Sequence, residues 1–369
     1  EQPIQAVYSP SHPIELVRQS SNQVQVSHES SQITPDKDFA IFYSLGSEQA
    51  LHLLTYRDPN DPQETDGFFL LLLTPQLEPP SHRLSKDLIL VMDQSGSMEG
   101  EKFRQAQDAA CYILDNLNPE DRFNLISFST DTQAFSSELQ TKQAVPQATR
   151  WIKGLNALGS TDINRALLEA AAMSSTKRPT YLIFLTDGLP TEGVTNSQQI
   201  LNNLEIAAQE NLRLFSFGVG YDVDTFLLDS LAQAHHGSTT YVLPNEPLDE
   251  ILSTFYNKIT TPLLTNLHLD FGKLSVYDLF PTPLPDFFAG SQIILSGRYR
   301  QGGTATLTLS GDFEQQKQSY KFPDLFFNIE KTNDPILSAI PQIWATRKIG
   351  HLLNQVRLKG PDEETIAQI

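Results

Sequence analysis

Leu88-Ile89-Leu90-Val91-Met92-Asp93-Gln94-Ser95-Gly96-Ser97-Met98 is an apolar run that ends abruptly in one carboxylate and two hydroxyls. The run reads as a buried strand, and a helical pattern begins just after it. Asp93, Ser95 and Ser97 therefore sit where a strand hands over to a helix. Magnesium and calcium favour oxygen ligands, and magnesium often keeps one or two protein carboxylates beside waters. The segment is thus a place to hold a hard cation.

Outward from this strand, residues 86–259 alternate between apolar strands and amphipathic helices. Strands are expected over residues 88–92, 123–128, 181–185, 214–219 and 239–243. Helices are expected near 101–117, 144–155, 163–173, 197–210, 223–235 and 247–258. Near-continuous apolar strands separated by helices imply a mostly parallel sheet covered on both faces. Residues 132–139 alternate instead and fit a short antiparallel edge strand. This α/β pattern is doubly wound, and its ligands belong outside the C-terminal ends of the strands.

The flanks have another texture. Residues 14–18, 23–27, 39–43, 51–56 and 68–73 alternate in polarity or are apolar, and are broken by Ser, Asn, Pro and Gly. The same texture returns over 267–271, 293–300 and 305–309, with Gln301-Gly302-Gly303 expected to join the last two as a hairpin. Neither flank has many strands, so the two are expected to pair as a β-sandwich into which the α/β domain is inserted. The divisions are 1–84 for the first part of the sandwich, 85–260 for the α/β domain, 261–330 for the second part and 331–369 for a helical tail.

At 369 residues the chain is too long for one ordinary core, and 39% hydrophobic content describes a folded protein. The formal net charge of −18 repels phosphate backbones and anionic lipid, so no nucleic acid is expected as a partner. The single cysteine, Cys111, excludes an intramolecular disulfide and a Cys-based zinc site, and its apolar helical setting reads as a buried thiol. No apolar stretch approaches the ~20 residues of a membrane-spanning helix. The chain starts at Glu1 without a methionine or a signal-like segment, as a fragment or processed product would. Localisation is thus not legible from the N-terminus, and an extracytoplasmic or cell-surface setting is only weakly favoured.

Three segments converge at the expected C-terminal edge of the sheet: 93–97, the helix-opening Gly159-Ser160-Thr161-Asp162, and Thr186-Asp187-Gly188 directly after a strand. Adjacent central strands bring Asp93 and Asp187 close, with Thr161 approaching from the side. Two carboxylates held together repel, and a divalent ion resolves the conflict. Three neutral hydroxyls and two carboxylates leave such an ion electrophilic, with a position for an acidic ligand from outside.

Asp93-x-Ser95-x-Ser97, Thr161 and Asp187 in Thr-Asp-Gly resemble the metal-ion-dependent adhesion site of von Willebrand factor A domains. The resemblance implies Mg²⁺, with Ca²⁺ or Mn²⁺ as substitutes. Ser95, Ser97 and Thr161 would be direct ligands, and Asp93 and Asp187 would bind directly or through waters. Tyr8-Ser9-Pro10-Ser11-His12 and Asp66-Gly67-Phe68-Phe69-Leu70 resemble inter-α-trypsin inhibitor heavy chains and their bacterial relatives, in which a VIT domain precedes the A domain. Only the end of such a region is expected here. The Asp-Pro-His-Phe-type segment that animal heavy chains use for attachment to hyaluronan is missing, and Asp334-Pro335 lacks its context. In related A domains the last helix slides as metal ligation changes. The corresponding segment is 247–258, with Leu248, Ile251, Leu252 and Phe255 as its packing face.

Blander roles compete for the same residues. Asp93 and the serines also suit a helix start, though Thr161 and Asp187 in their places make capping the lesser role. Ser160 and Asp162 are helix-starting types, and Glu99 reads as a solvated carboxylate. His235 and His236 read as ordinary helix-end residues, and Trp151 and Trp344 as packing residues. Phosphoryl transfer by an aspartyl nucleophile would need a second Asp where Ser95 stands. A phosphate loop and a Gly-x-Ser-x-Gly elbow are both missing. The reading is a non-enzymatic, cation-dependent protein-binding or adhesion module whose partner presents an acidic side chain. The alternatives are a structural assembly module with a purely stabilising metal and, less favoured, a metal-dependent phosphoryl-transfer enzyme.

Overall fold

Strand Asp87–Asp93 is buried along its whole length because it is central in a sheet covered on both faces. Leu88, Leu90 and Met92 point into one core with Phe103, Ala106 and Ile113 of helix α1 (Glu101–Asp115), while Ile89 and Val91 point into another with Ile163 and Leu167. The computed structural model describes residues 4–8, 14–20, 22–27, 41–45, 51–59, 65–73, 85–175, 178–244, 246–259, 262–288, 292–313, 316–359 and 363–368.

Strands Arg122–Phe128, Asp87–Asp93, Thr180–Thr186, Leu212–Val219 and Thr239–Val242 lie side by side in that order, all parallel. Thr132–Ala134 and Gln140–Thr141 add antiparallel pairings to Arg122–Phe128, so the expected edge strand comes as two short pieces. One face is covered by α1, α2 (Val145–Lys153) and α6 (Leu248–Ile259); the other by α3 (Ile163–Ala172), α4 (Ser197–Ala207) and α5 (Thr225–Ala234). Asp162, Asn196 and Asp224 cap α3, α4 and α5 by accepting from the backbone N–H three residues on, which fixes where each helix starts.

The flanks build two four-stranded sheets. One orders Phe287–Phe288, Pro262–Asp270, Gly303–Phe313 and Gln316–Phe327; the other orders Val276–Phe280, Ile293–Tyr299, Gly67–Leu73 and Leu51–Tyr56. Ile293–Tyr299 pairs with Gly67–Leu73 over seven residues, so chain from both sides of the α/β domain shares one sheet. Phe69, Leu71 and Leu73 face the core between the sheets. Phe68, Leu70 and Leu72 face outward, yet are covered by Ile340 and Trp344 of α7 (Ile340–Lys359). The tail is therefore a docked third layer, which explains why residues 68–73 are apolar without alternation.

Two expectations change. Gln301-Gly302-Gly303 does turn the chain, with Gln301 at φ 47° and Gly303 at φ 130°. The two strands it joins lie in different sheets, however; the hairpin is Gly303–Phe313 with Gln316–Phe327. Turn residues reverse the chain but do not choose its new neighbour. The described strands before residue 46 stay out of the two sandwich sheets. Ile4–Tyr8 pairs with Phe42–Leu45 and Glu15–Ser20 with Gln23–Ser27, as separate two-stranded ribbons. Leu16 and Val17 are about half exposed, so the second ribbon leaves much of its apolar surface uncovered. Ser9 to His12, and Phe39 and Ala40, lie outside the described residues. His235 caps the end of α5, as its place in the sequence implies, and His236 beside it also meets the sandwich.

That junction is built from the sandwich side. Phe288 enters the α/β core, with ring centroids 6.2 Å from both Tyr181 and Phe215. The Arg213 guanidinium, 2% exposed, donates to Asp286 Oδ2 at 2.5 Å and to Asn266 Oδ1 at 2.7 Å. His236 Nδ1 lies 3.4 Å from the Leu284 carbonyl oxygen, and Gln233 donates to the Thr282 carbonyl.

Candidate metal centre

Thr180–Thr186 is the parallel neighbour of Asp87–Asp93, with Leu185 opposite Met92, so both strands release their next residues at one edge. Asp93 is fully buried there. Its Oδ1 accepts from the Ser95 backbone N–H at 2.7 Å, and its Oδ2 accepts from the Thr186 hydroxyl at 2.6 Å. The Ser95 and Ser97 hydroxyls are 3.1 Å apart, and Ser97 Oγ donates to Asp187 Oδ1 at 2.7 Å. The Lys102 ammonium, from the first turn of α1, donates to Asp187 Oδ2. Four of the residues singled out from sequence thus form one hydrogen-bonded chain, extended at its ends by Thr186 and Lys102.

Thr161 is brought to the same edge by its backbone. Its N–H donates to Thr191 Oγ1 at 3.0 Å, and its carbonyl accepts from Thr191 and Glu192 at 3.0 and 3.2 Å. The loop before it is bonded to the first loop: Gly96 N–H to the Gly159 carbonyl at 3.1 Å and Leu158 N–H to the Gln94 carbonyl at 2.6 Å. Gly159 holds φ 100°, and a Cβ there would lie 2.9 Å from Thr130 Oγ1, so the turn needs glycine. Asp162 serves as the α3 cap, and Glu99 is exposed, as their residue types imply.

The electrostatics fit a cation. Burial pushes the Asp93 carboxyl up to about 6; the hydrogen bonds from Ser95 and Thr186 hold it down, and the nearby Asp187 charge raises it further. A buried carboxylate beside a second carboxylate is stabilised by a positive ion between them. Among the described residues no group of three or more His, Cys, Asp or Glu side chains is placed to hold a metal ion. Two carboxylates with neutral hydroxyls suit a hard ion such as Mg²⁺ and do not suit a soft one. Ser97 is exposed, so the edge is open to solvent.

Sequence reasoning placed Thr186 at the edge without its bond to Asp93, and missed Thr191 and Lys102. Thr186 had a signal, since the residue before Asp187 ends the same strand. Lys102 and Thr191 had none, because their roles depend on how a helix and a loop fold back over the edge.

Residues 87–254 match the model of the von Willebrand factor type A domain. The chain carries a von Willebrand factor type A domain. It is similar to inter-alpha-trypsin inhibitor heavy chain H2 of Sus scrofa, at 30% identity over 280 residues, which are 73% of this chain and 29% of that protein. The Homo sapiens H2 chain is 32% identical over 245 residues, 63% of this chain and 26% of that protein. The chain therefore spans less than a third of the length of these curated relatives. Among solved structures, a von Willebrand factor type A protein from Catenulispora acidiphila aligns with a TM-score of 0.60 at 15% identity, over 82% of this chain and 79% of that one. The ArnB paralogue VWA2 from Sulfolobus acidocaldarius aligns at 0.51 and 17% identity, over 87% and 88%. At such identities the likeness shows the fold, and it extends well beyond the A domain alone.

Proposed function

We propose that this chain is a non-enzymatic, divalent-cation-dependent protein-binding or adhesion module. Domains of this type mediate protein–protein interactions. The observation that carries the reading is the meeting of Asp93 and Asp187 from adjacent strands, with the Ser95 and Ser97 hydroxyls between them at an open edge. Asp93, Ser95, Ser97, Thr161 and Asp187 would hold Mg²⁺, or Ca²⁺ or Mn²⁺ in its place. Such an ion would supply an electrophilic position that a carboxylate of a partner protein can join. The protein's own residues prepare that position: Thr186 and the Ser95 amide hold Asp93 in place, and Ser97 orients Asp187. Among the described residues no helix is long and apolar enough to cross a membrane.

The bonds tying the Gly96 loop to the Gly159 loop favour a second reading, in which the ion only fastens these loops in a larger assembly. One experiment separates the two. Proteins captured on the immobilised chain with Mg²⁺ are compared with those captured in chelator, for the wild type, Asp93→Ala and Thr161→Ala. Cation-dependent capture lost in folded variants supports adhesion. If chelation lowers the melting temperature and changes no association, the adhesion reading fails and the stabilising role stands.

A further inference from the structure

Asp187 is held from two sides. Ser97 holds Oδ1 at 2.7 Å and the Lys102 ammonium holds Oδ2. The Asp187 side chain is 1% exposed, while that of Lys102 is 33% exposed, so the lysine reaches from the rim of the edge onto a buried carboxylate. The other charges of this turn face elsewhere: Glu101 is paired with Arg104, and Glu99 is exposed. Lys102 thus places a cationic side chain on one of the candidate ligands.

We propose that Lys102 is a tethered counter-cation of the candidate metal centre, weakening divalent-ion affinity while keeping the loaded centre net positive toward an external carboxylate. The proposal rests on the metal reading above. Two carboxylates and a divalent ion sum to zero, and a neutral centre has little long-range pull on an anion. With the ammonium on the outer oxygen of Asp187 the sum is +1. The same charge repels an arriving dication and competes for electron density on Asp187, so ion affinity is given up for anion attraction. The partly buried setting limits screening by salt, which lets one charge matter. A merely structural ion pair would act otherwise, because its loss would loosen the loop and weaken metal binding.

The test is calorimetric titration of the full chain with MgCl₂, for wild type, Lys102→Met, Lys102→Gln and Lys102→Arg, with folding checked by circular dichroism. Magnesium binding is expected to tighten on the order of tenfold in Lys102→Met and Lys102→Gln, and to stay near the wild-type value in Lys102→Arg. With Mg²⁺ present, ¹⁹F line broadening of fluoroacetate, a carboxylate probe, is expected to fall in Lys102→Met. Unchanged or weaker magnesium binding in folded Lys102→Met and Lys102→Gln overturns the proposal and leaves the metal reading standing. If the wild type and every variant fail to bind magnesium, the metal reading itself fails and takes this proposal with it.

Discussion

Replacing Asp286 by Ala tests whether the sandwich and the A domain are one cooperative body. The carboxylate is fully buried and receives the Arg213 Nε–H at 2.5 Å and the Asn266 backbone N–H at 3.1 Å. Arg213 keeps the Asn266 side chain and the Glu210 carbonyl as neutral acceptors, neither of which balances its charge. Removing one partner of a buried ion pair costs about 3–5 kcal/mol, because the other charge is left uncompensated. Replacing both by apolar groups, in Arg213→Met with Asp286→Leu, is expected to recover most of that loss, since buried pairs are often exchanged for apolar groups at little cost. Burial does push the Asp286 carboxyl up, against the pull of Arg213, so desolvation works against the pair. The two tryptophans give separate reports: Trp151 on α2 packs on Phe135, and Trp344 on α7 packs on Phe68. Guanidinium denaturation followed by fluorescence of Trp151→Phe and Trp344→Phe backgrounds should give one shared midpoint in the parent. In Asp286→Ala the midpoints should fall and separate. A loss below about 1 kcal/mol with coincident midpoints refutes the reasoning, as that is the range of an exposed pair.

Two further outcomes follow from buried polar groups. Burial, with the neighbouring positive charges of His236 and Arg213, lowers His235 to about 4, against an ordinary value of 6.5. The unfolded chain therefore binds more protons between those values, so this contribution is whole above pH 6.5 and is lost as pH falls toward 4, by up to roughly 3 kcal/mol. Urea denaturation at pH 7 and pH 4.5 should show a smaller pH effect in His235→Gln than in the wild type; an equal effect refutes the assignment. Thr186→Val removes the hydroxyl that donates to Asp93 Oδ2. It should cost about 1–3 kcal/mol for the buried acceptor left short of a donor, read from the denaturation midpoint, with Thr186→Ser close to wild type.

Much of the α/β domain was legible because its signals are local. A strand buried on both faces must be apolar throughout, and Leu88 to Met92 could be little else. Asp93, Ser95 and Ser97 follow within one turn of chain, and Thr186-Asp187-Gly188 closes its own strand in the same way. Parallel pairing of central strands then requires the two carboxylates to emerge together. The N-terminal ribbons were misjudged because alternation gives a strand its faces without saying whether anything covers them. Residues 68–73 were read correctly as a buried strand, yet what buries Phe68, Leu70 and Leu72 is a helix more than 260 residues away.

Sequence alone determined the doubly wound domain, its placement between two halves of a sandwich, and the oxygen-rich edge, because periodicity and residue chemistry act over a few residues. Tertiary structure alone decided that the Gln301 turn changes sheets, that Arg213 and Asp286 lock the junction, and that Lys102 rests on Asp187. Each of these depends on which distant surface a segment meets, and that is chosen by the packing of the whole chain.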